Sequence, residues 1–284
     1  MSYWKRFSML LFSVVLLAGA CSRESQQTQP VTTKTEKGTS TAPPAKEVEQ
    51  RGRTLVRIIH AMPGSPALDM FADEAKAFAN ITYKTVTPYR ELSGKLPPTP
   101  TVAEVPAPSN KLQVVFRIRP VAQDTTPPLA EATEVLTPGN HYTVIALPSA
   151  EGKEPSLKIT SDDLTPAPSE KARVRVIHAS SDAGEVDVYA KERDKALFEG
   201  VNFKSEVGYK EVEPMTATLE VRPKGKKSAL ATASNVKWEA GKTYTIIVTG
   251  RAKGAPKLEA VTVEDQLGSS TASITSAPSA TASY

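Results

Sequence analysis

One cysteine serves the whole 284-residue chain, Cys21. With a single thiol no disulfide can staple a domain within the chain, and no thiol nucleophile is left beyond residue 21. Histidine is almost as scarce, at His60, His141 and His178. No H-E-x-x-H or comparable cluster occurs, and a histidine metal site generally needs several converging ligands. There is also no G-x-S-x-G elbow for a serine nucleophile. No Lys/Arg block reaches five residues, and Lys224-Gly225-Lys226-Lys227 reads as a solvated hairpin loop. Basic and acidic residues number 35 and 31; without Lys5 and Arg6 the balance is 33 to 31. So mild a balance gives no basis for nucleic acid as a partner. No stretch shows a helical period, and the one long apolar run falls short of the roughly 20 residues that span a bilayer.

What the chain does have is a phrase used twice. Val56-Arg57-Ile58-Ile59-His60-Ala61 returns as Val174-Arg175-Val176-Ile177-His178-Ala179. The parallel continues, with Ala67–Phe71 answering Glu185–Tyr189 and Asn80–Lys84 answering Gly200–Lys204. Tyr89 answers Tyr209, Phe116–Pro120 answers Leu219–Pro223, and Pro138–Thr143 answers Ala240–Thr245. Repetition of this kind means one domain used twice. The expected boundaries are 53–165 and 173–266, joined by a linker at 166–172. The first copy alone carries a Pro-rich insertion at 96–110. Each copy has a normal size for a fold with its own core.

Within the second copy, Arg173–Ala179, Glu185–Lys191, Thr216–Arg222, Thr243–Thr249 and Lys257–Glu264 are short, alternating and rich in Val, Ile, Thr and Tyr. Weaker strands are expected near Glu206–Val212 and Ser228–Lys237. Such strands, broken by Gly, Pro and Asp, predict an all-β antiparallel sandwich. Alternation assigns Val174, Val176 and His178 to one face, with Val56, Ile58 and His60 in the same phase. Leu68, Met70, Phe116, Ile118, Tyr142 and Val144 join them as core positions, and Asp69, Asp187, Arg119 and Arg222 point away.

Residues 1–20 read as an export signal: Lys5 and Arg6, an apolar run from Met9 to Leu17, then Ala18-Gly19-Ala20. Leu17-Ala18-Gly19-Ala20-Cys21 resembles the lipobox of bacterial lipoproteins. That resemblance implies cleavage between Ala20 and Cys21 and a lipidated, palmitate-bearing Cys21 as the mature N-terminus, with Ala18 where Leu is commoner. Ordinary signal peptidase would cut the same bond and leave a free thiol. Two or three acyl chains anchor stably where one does not. Ser22 resembles the outer-membrane sorting pattern of Gram-negative cells; otherwise the anchor lies on the exterior of the cell membrane. Residues 21–52 are Ser, Thr, Gln, Lys, Glu and Pro, a composition expected to stay disordered as a tether. A coil of about 30 residues has an end-to-end distance of roughly 30 Å. The Ser/Ala/Thr-rich stretch 267–284 reads as a second flexible tail.

The V-R-x-I-H-A opening, the x-x-D-V-Y strand, E-V-R-P and A-G-K-T-Y-T together resemble the DUF4397 domain, a bacterial exported domain of undetermined function often found in tandem. The resemblance covers about 53–161 and 173–265. It implies two tandem sandwiches of immunoglobulin/transthyretin-like kind and an envelope location, and brings no catalytic or cofactor-binding residues.

Weighed as chemistry, the repeated residues favour structure. His60 and His178 sit in phase with core valines, where an imidazole bonded to loop backbone is expected rather than a metal ligand or general base. Asp69 with Arg119, and Asp187 with Arg222, fit cross-strand ion pairs. Tyr142 and Tyr244 fit tyrosine corners. Asp162, Asp163 and Asp182 remain carboxylates that an acid–base pair would need to bring together. The reading is a non-enzymatic, surface-tethered module for binding, adhesion or scaffolding, with the membrane as one partner and an envelope protein or polysaccharide as another. Its alternatives are an envelope hydrolase or metal-dependent enzyme, and a passive spacer. No cofactor is expected. Function is looked for where the copies differ, above all at 96–110.

Overall fold

The computed structural model describes residues 54–92, 112–150, 153–191 and 193–267. The export signal, Cys21, the tether, the insertion at 96–110 and the tail from 268 lie outside the described residues. Among the described residues there is no helix, and the strands fall into two sets of eight. The first set is β1 (Leu55–His60), β2 (Leu68–Ala72), β3 (Ala75–Ile81), β4 (Arg90–Glu91), β5 (Leu112–Pro120), β6 (Ala130–Leu136), β7 (His141–Leu147) and β8 (Ser156–Asp162). The second is β9 (Ala172–His178), β10 (Val186–Ala190), β11 (Phe198–Val201), β12 (Glu206–Val212), β13 (Met215–Pro223), β14 (Ala231–Trp238), β15 (Thr243–Thr249) and β16 (Glu259–Glu264).

Each set makes two four-stranded sheets, ordered β4-β1-β7-β8 over β3-β2-β5-β6, and β12-β9-β15-β16 over β11-β10-β13-β14. The fold is therefore all-β, as the alternation required. One feature departs from expectation. β1 pairs with β7 in parallel, Val56 opposite Tyr142, and β9 pairs with β15 in parallel, Val174 opposite Tyr244. Alternation assigns faces and carries no information on strand direction, so the sequence could not distinguish the two pairings.

The first core gathers Val56, Ile58, Leu68, Met70, Phe116, Ile118, Tyr142 and Val144, all from the predicted inward faces. The second gathers Val174, Val176, Val186, Val188, Leu219, Val221, Tyr244, Ile246 and Val248. Both tyrosine corners are present. Tyr142 Oη accepts the Thr137 amide at 2.9 Å, and Tyr244 Oη accepts the Glu239 amide at 3.1 Å, each tying a strand to the turn before it.

A third apolar cluster joins the sandwiches. Ile59, Ala61, Val86, Ile145 and Leu147 of the first pack on Ile177, Ala179, Ile247, Val261 and Val263 of the second. The β1–β7 and β9–β15 ribbons are thus buried on both faces, which is why β15 reads Thr-Tyr-Thr-Ile-Ile-Val-Thr without an exposed position. The face that sequence phase leaves pointing outward is here a domain interface. Ala172, placed in the linker by sequence, opens β9 and is fully buried.

Candidate functional site

The two repeated histidines end β1 and β9 and have no exposed surface. His60 Nδ1 accepts the Met62 amide at 3.2 Å, and Nε2 lies 3.2 Å from the Pro66 carbonyl. His178 Nδ1 accepts the Ser180 amide at 3.2 Å, and Nε2 lies 2.8 Å from the Gly184 carbonyl. An amide only donates and a carbonyl only accepts, so both rings are neutral with the proton on Nε2. Tyr83 and Phe203 meet their edges at 6.1 and 6.4 Å. Each imidazole staples its own loop, and neither has a nitrogen free for a ligand.

The largest assembly of buried charge lies between the repeats and is crossed. Arg57 of the first repeat reaches Asp265 of the second at 2.5 Å, and Arg175 of the second reaches Asp162 of the first at 2.5 Å. Thr143 Oγ1 accepts from Arg57 Nε and donates to Asp162; Thr245 Oγ1 accepts from Arg175 Nε and donates to Asp265. Tyr89 donates to Asp162 at 2.7 Å and Tyr209 to Asp265 at 2.8 Å. These rings also stack under Arg57 and Arg175, at 4.7 and 4.8 Å. Exchanging the repeats maps these contacts onto one another; Arg175 alone adds a pair to Glu206, at 2.8 Å, where the first repeat has Val86. Outside it, Lys84 pairs with Glu259 at 2.5 Å, and Lys204 correspondingly reaches Ser156 at 2.8 Å. Burial works against the charge on Arg57 and Arg175, and Asp265 and Asp162 more than offset it, holding both guanidinium groups above their ordinary value. Burial pushes the Tyr89 and Tyr209 phenols up, so they remain donors.

The cross-strand ion pairs expected of Asp69 with Arg119 and Asp187 with Arg222 do not form, although the backbone register sets each pair opposite. Asp69 instead accepts the Asn80 amide at 2.8 Å and pairs with Lys76. Asp187 accepts the Gly200 and Gly225 amides. Neither acid faces solvent; they are 2% and 6% exposed. Asn80 and Gly200 both have positive φ, 53° and 64°, which turns their amides toward the carboxylates. The short acid satisfies a kink in the neighbouring strand, a local feature that alternation does not reveal. The arginines lie over aromatic rings, Arg119 on Phe71 at 4.9 Å and Arg222 on Tyr189 at 4.1 Å.

Asp162, Asp163 and Asp182 are not brought together. Asp162 belongs to the crossed network, Asp163 pairs with Arg173, and Asp182 accepts the Ala252 and Lys253 amides and the Ser180 hydroxyl. Residues of the loops that follow β1, β7, β9 and β15 line an open cleft of about 390 Å³, to which both repeats contribute. Among the described residues no three His, Cys, Asp or Glu come close enough to hold a metal ion, and His141 stands apart, edge-on to Tyr89 at 5.7 Å.

Two stretches, residues 54–189 and 185–276, match the family described as "Domain of unknown function (DUF4397)". The chain belongs to the DUF4397 family, with two copies in tandem. No curated protein matches it. The matched stretches do not follow the sandwich limits: the first runs on through β9 and β10, strands that pair only within the second sandwich. A DUF4397 repeat in this chain is thus defined by pairing, from β1 to β8 and from β9 to β16.

The DUF4397 histidines make a pH prediction. Burial lowers both below the ordinary imidazole value, against a smaller opposing contribution from the loop carbonyls, and burial also lowers His141. The unfolded chain takes up these protons near pH 6.5 and the folded chain only at lower pH. Stability is therefore fully present above about pH 6.5 and is lost as pH falls, by up to about 1.4 kcal/mol per pH unit for each histidine. Urea midpoints from pH 7.5 to 5.5 should decline, and more shallowly for His60→Gln/His178→Gln. A flat wild-type profile would contradict the neutral assignment.

Proposed function

We propose that this tandem DUF4397 protein is a non-enzymatic lipoprotein of the cell envelope, anchored through Cys21, whose two repeats act as one rigid head for binding or scaffolding. The observation that supports this reading is how the buried ionisable groups are engaged. Both nitrogens of His60 and His178 serve loop backbone, and Arg57, Arg175, Asp162 and Asp265 lock repeat to repeat. An envelope hydrolase built on those imidazoles would need one nitrogen free for a substrate proton. What remains open to solvent includes the outer strands β6 and β14 and the loops, among them the cleft to which both repeats contribute. The anchor rests on the Leu17–Cys21 segment and the outer-membrane placement on Ser22.

Two measurements test it. Intact mass of the mature protein should show acyl chains on Cys21, and Cys21→Ser should move the protein from the membrane fraction to the soluble one; an unmodified thiol refutes the anchor. Separately, the purified full chain in detergent should be retained by isolated envelope material. Absence of retention would leave a passive spacer in place of a binding module.

A further inference from the structure

We propose that the cleft between the repeats binds a carboxylate-bearing sugar unit of an envelope polysaccharide. The proposal rests on the binding-module reading and names the chemistry of its ligand. The volume, about 390 Å³, falls at the lower end of the roughly 300–1,000 Å³ typical of small-ligand sites.

Charge is placed on one side only. Arg251 and Lys253 come from the loop after β15, and Arg251 corresponds to uncharged Ser149 in the loop after β7. Among the described residues the Arg251 guanidinium makes one long hydrogen bond, 3.5 Å to the Pro63 carbonyl, and neither it nor Lys253 pairs with a carboxylate. Gly64, at φ +79°, turns the loop beside that guanidinium in a conformation that favours glycine. Asp182, the acid in the lining, is already turned onto the Ala252 and Lys253 amides at 2.8 and 3.0 Å. Burial works against its charge, but these donors outweigh it and hold Asp182 below the usual carboxylate value. It therefore stays ionised as the tie that fixes the basic loop. An arginine fork presented in this way matches a carboxylate with two parallel hydrogen bonds, and the nearby ammonium adds a point charge.

The rest of the wall mixes serines with Met62, Pro63, Gly64 and Pro148. Ser149 is exposed and Ser181 half-buried, and their hydroxyls, each able to donate and accept, are what a hydroxyl-rich ligand would engage. The apolar part of the lining is Met62, Pro63 and Pro148, with no aromatic or branched aliphatic side chain, so a greasy ligand has little to bury against. Cations at one wall and hydroxyls around them suit an acidic sugar better than an acidic peptide, whose backbone would find no strand edge here.

The test is calorimetric titration of the full chain in detergent with tetragalacturonate, neutral tetragalactose and tetraglutamate. Tetragalacturonate should bind, more weakly as salt rises, and Arg251→Gln/Lys253→Gln should weaken it at least tenfold. Lys226→Gln/Lys227→Gln, in the β13–β14 hairpin, should leave it unchanged. Unaltered thermal unfolding of both variants establishes that they fold; Arg251→Lys, which keeps the charge and removes the fork, gives a second reading of intermediate loss. Failure of tetragalacturonate to bind, equal binding by the cleft variant, or equal binding of tetraglutamate overturns the proposal. If the chain is still retained by envelope material, the cleft assignment alone has failed; if retention is also absent, the binding module falls with it.

Discussion

Arg175→Met should cost the folded protein about 3–5 kcal/mol, as expected when one partner of a buried ion pair is removed. The guanidinium has no exposed surface and serves Thr245, Glu206 and, across the interface, Asp162. Without it Asp162 stays buried as an anion with only the Tyr89 and Thr143 hydroxyls left to it. The loss belongs to both repeats, because the arginine is in one and its acid in the other. Urea unfolding followed by tryptophan fluorescence and by backbone circular dichroism should give coincident transitions at a lower midpoint. Arg175→Met with Asp162→Leu should recover much of the loss, since an apolar replacement of both partners removes the orphaned charge. An exposed pair is the contrast: Lys224→Met, which frees Glu185, should change stability by less than about 1 kcal/mol. A loss below 1 kcal/mol for Arg175→Met, or separate transitions for the two repeats, would mean that the crossed network does not couple them.

The same network marks how far the sequence could be read. Strand positions and inward faces were legible because each repeat alternates, and because two copies agreed on phase at Val56/Val174, Leu68/Val186 and Tyr142/Tyr244. The histidines were legible for the same reason: a polar residue in phase with core valines at a strand end has loop backbone as its nearest partner. The outward face was not. Arg57 and Arg175 fall in phase with Ile59 and Ile177, a face that one isolated sandwich would show to water. The signal was present, since Arg57, Tyr89, Thr143 and Asp162 recur as Arg175, Tyr209, Thr245 and Asp265. Residues repeated on a non-core face imply a shared interface. Their crossed pairing arises only when the sandwiches meet, at sequence separations such as 208 residues for Arg57 and Asp265. Asp69 and Asp187 failed for a smaller reason, a kinked edge strand that takes up a carboxylate otherwise free to pair across the sheet.

This coupling changes where function is to be sought. Two separately tethered domains would offer two weak sites and gain by avidity. Two repeats locked through Arg57, Arg175 and the Ile59–Ile247 cluster present one surface of fixed geometry. Symmetry within that surface is broken by loops, and the loop carrying Arg251 and Lys253 has no basic counterpart at Ser149. The interface that the copies share does the structural work, and the residues that differ give the cleft its charge.

Trp238→Ala should be the most damaging single core change, at about 3–5 kcal/mol. Trp238 closes β14, is 1% exposed and is among the largest fully buried side chains. Its counterpart in the first repeat is Leu136, which closes β6 and is also buried, so the second core has been built around a larger group at the same place. The indole contributes volume and not a hydrogen bond: Nε1 is buried without a partner among the described residues. An unsatisfied buried donor costs about 1–3 kcal/mol, which opposes part of what the ring stabilises. Trp238→Phe, which removes the donor and keeps most of the ring, should therefore cost less than about 1.5 kcal/mol, and Trp238→Leu should fall between Phe and Ala. Urea midpoints read by backbone circular dichroism give the order directly. If Phe were as costly as Ala, the indole N–H would be making an interaction that holds the β14 end in place. With the repeats unfolding as one, as expected above, the Ala variant should also release the Arg251 loop at the lower midpoint, so loss of tetragalacturonate binding should track unfolding and show no separate transition.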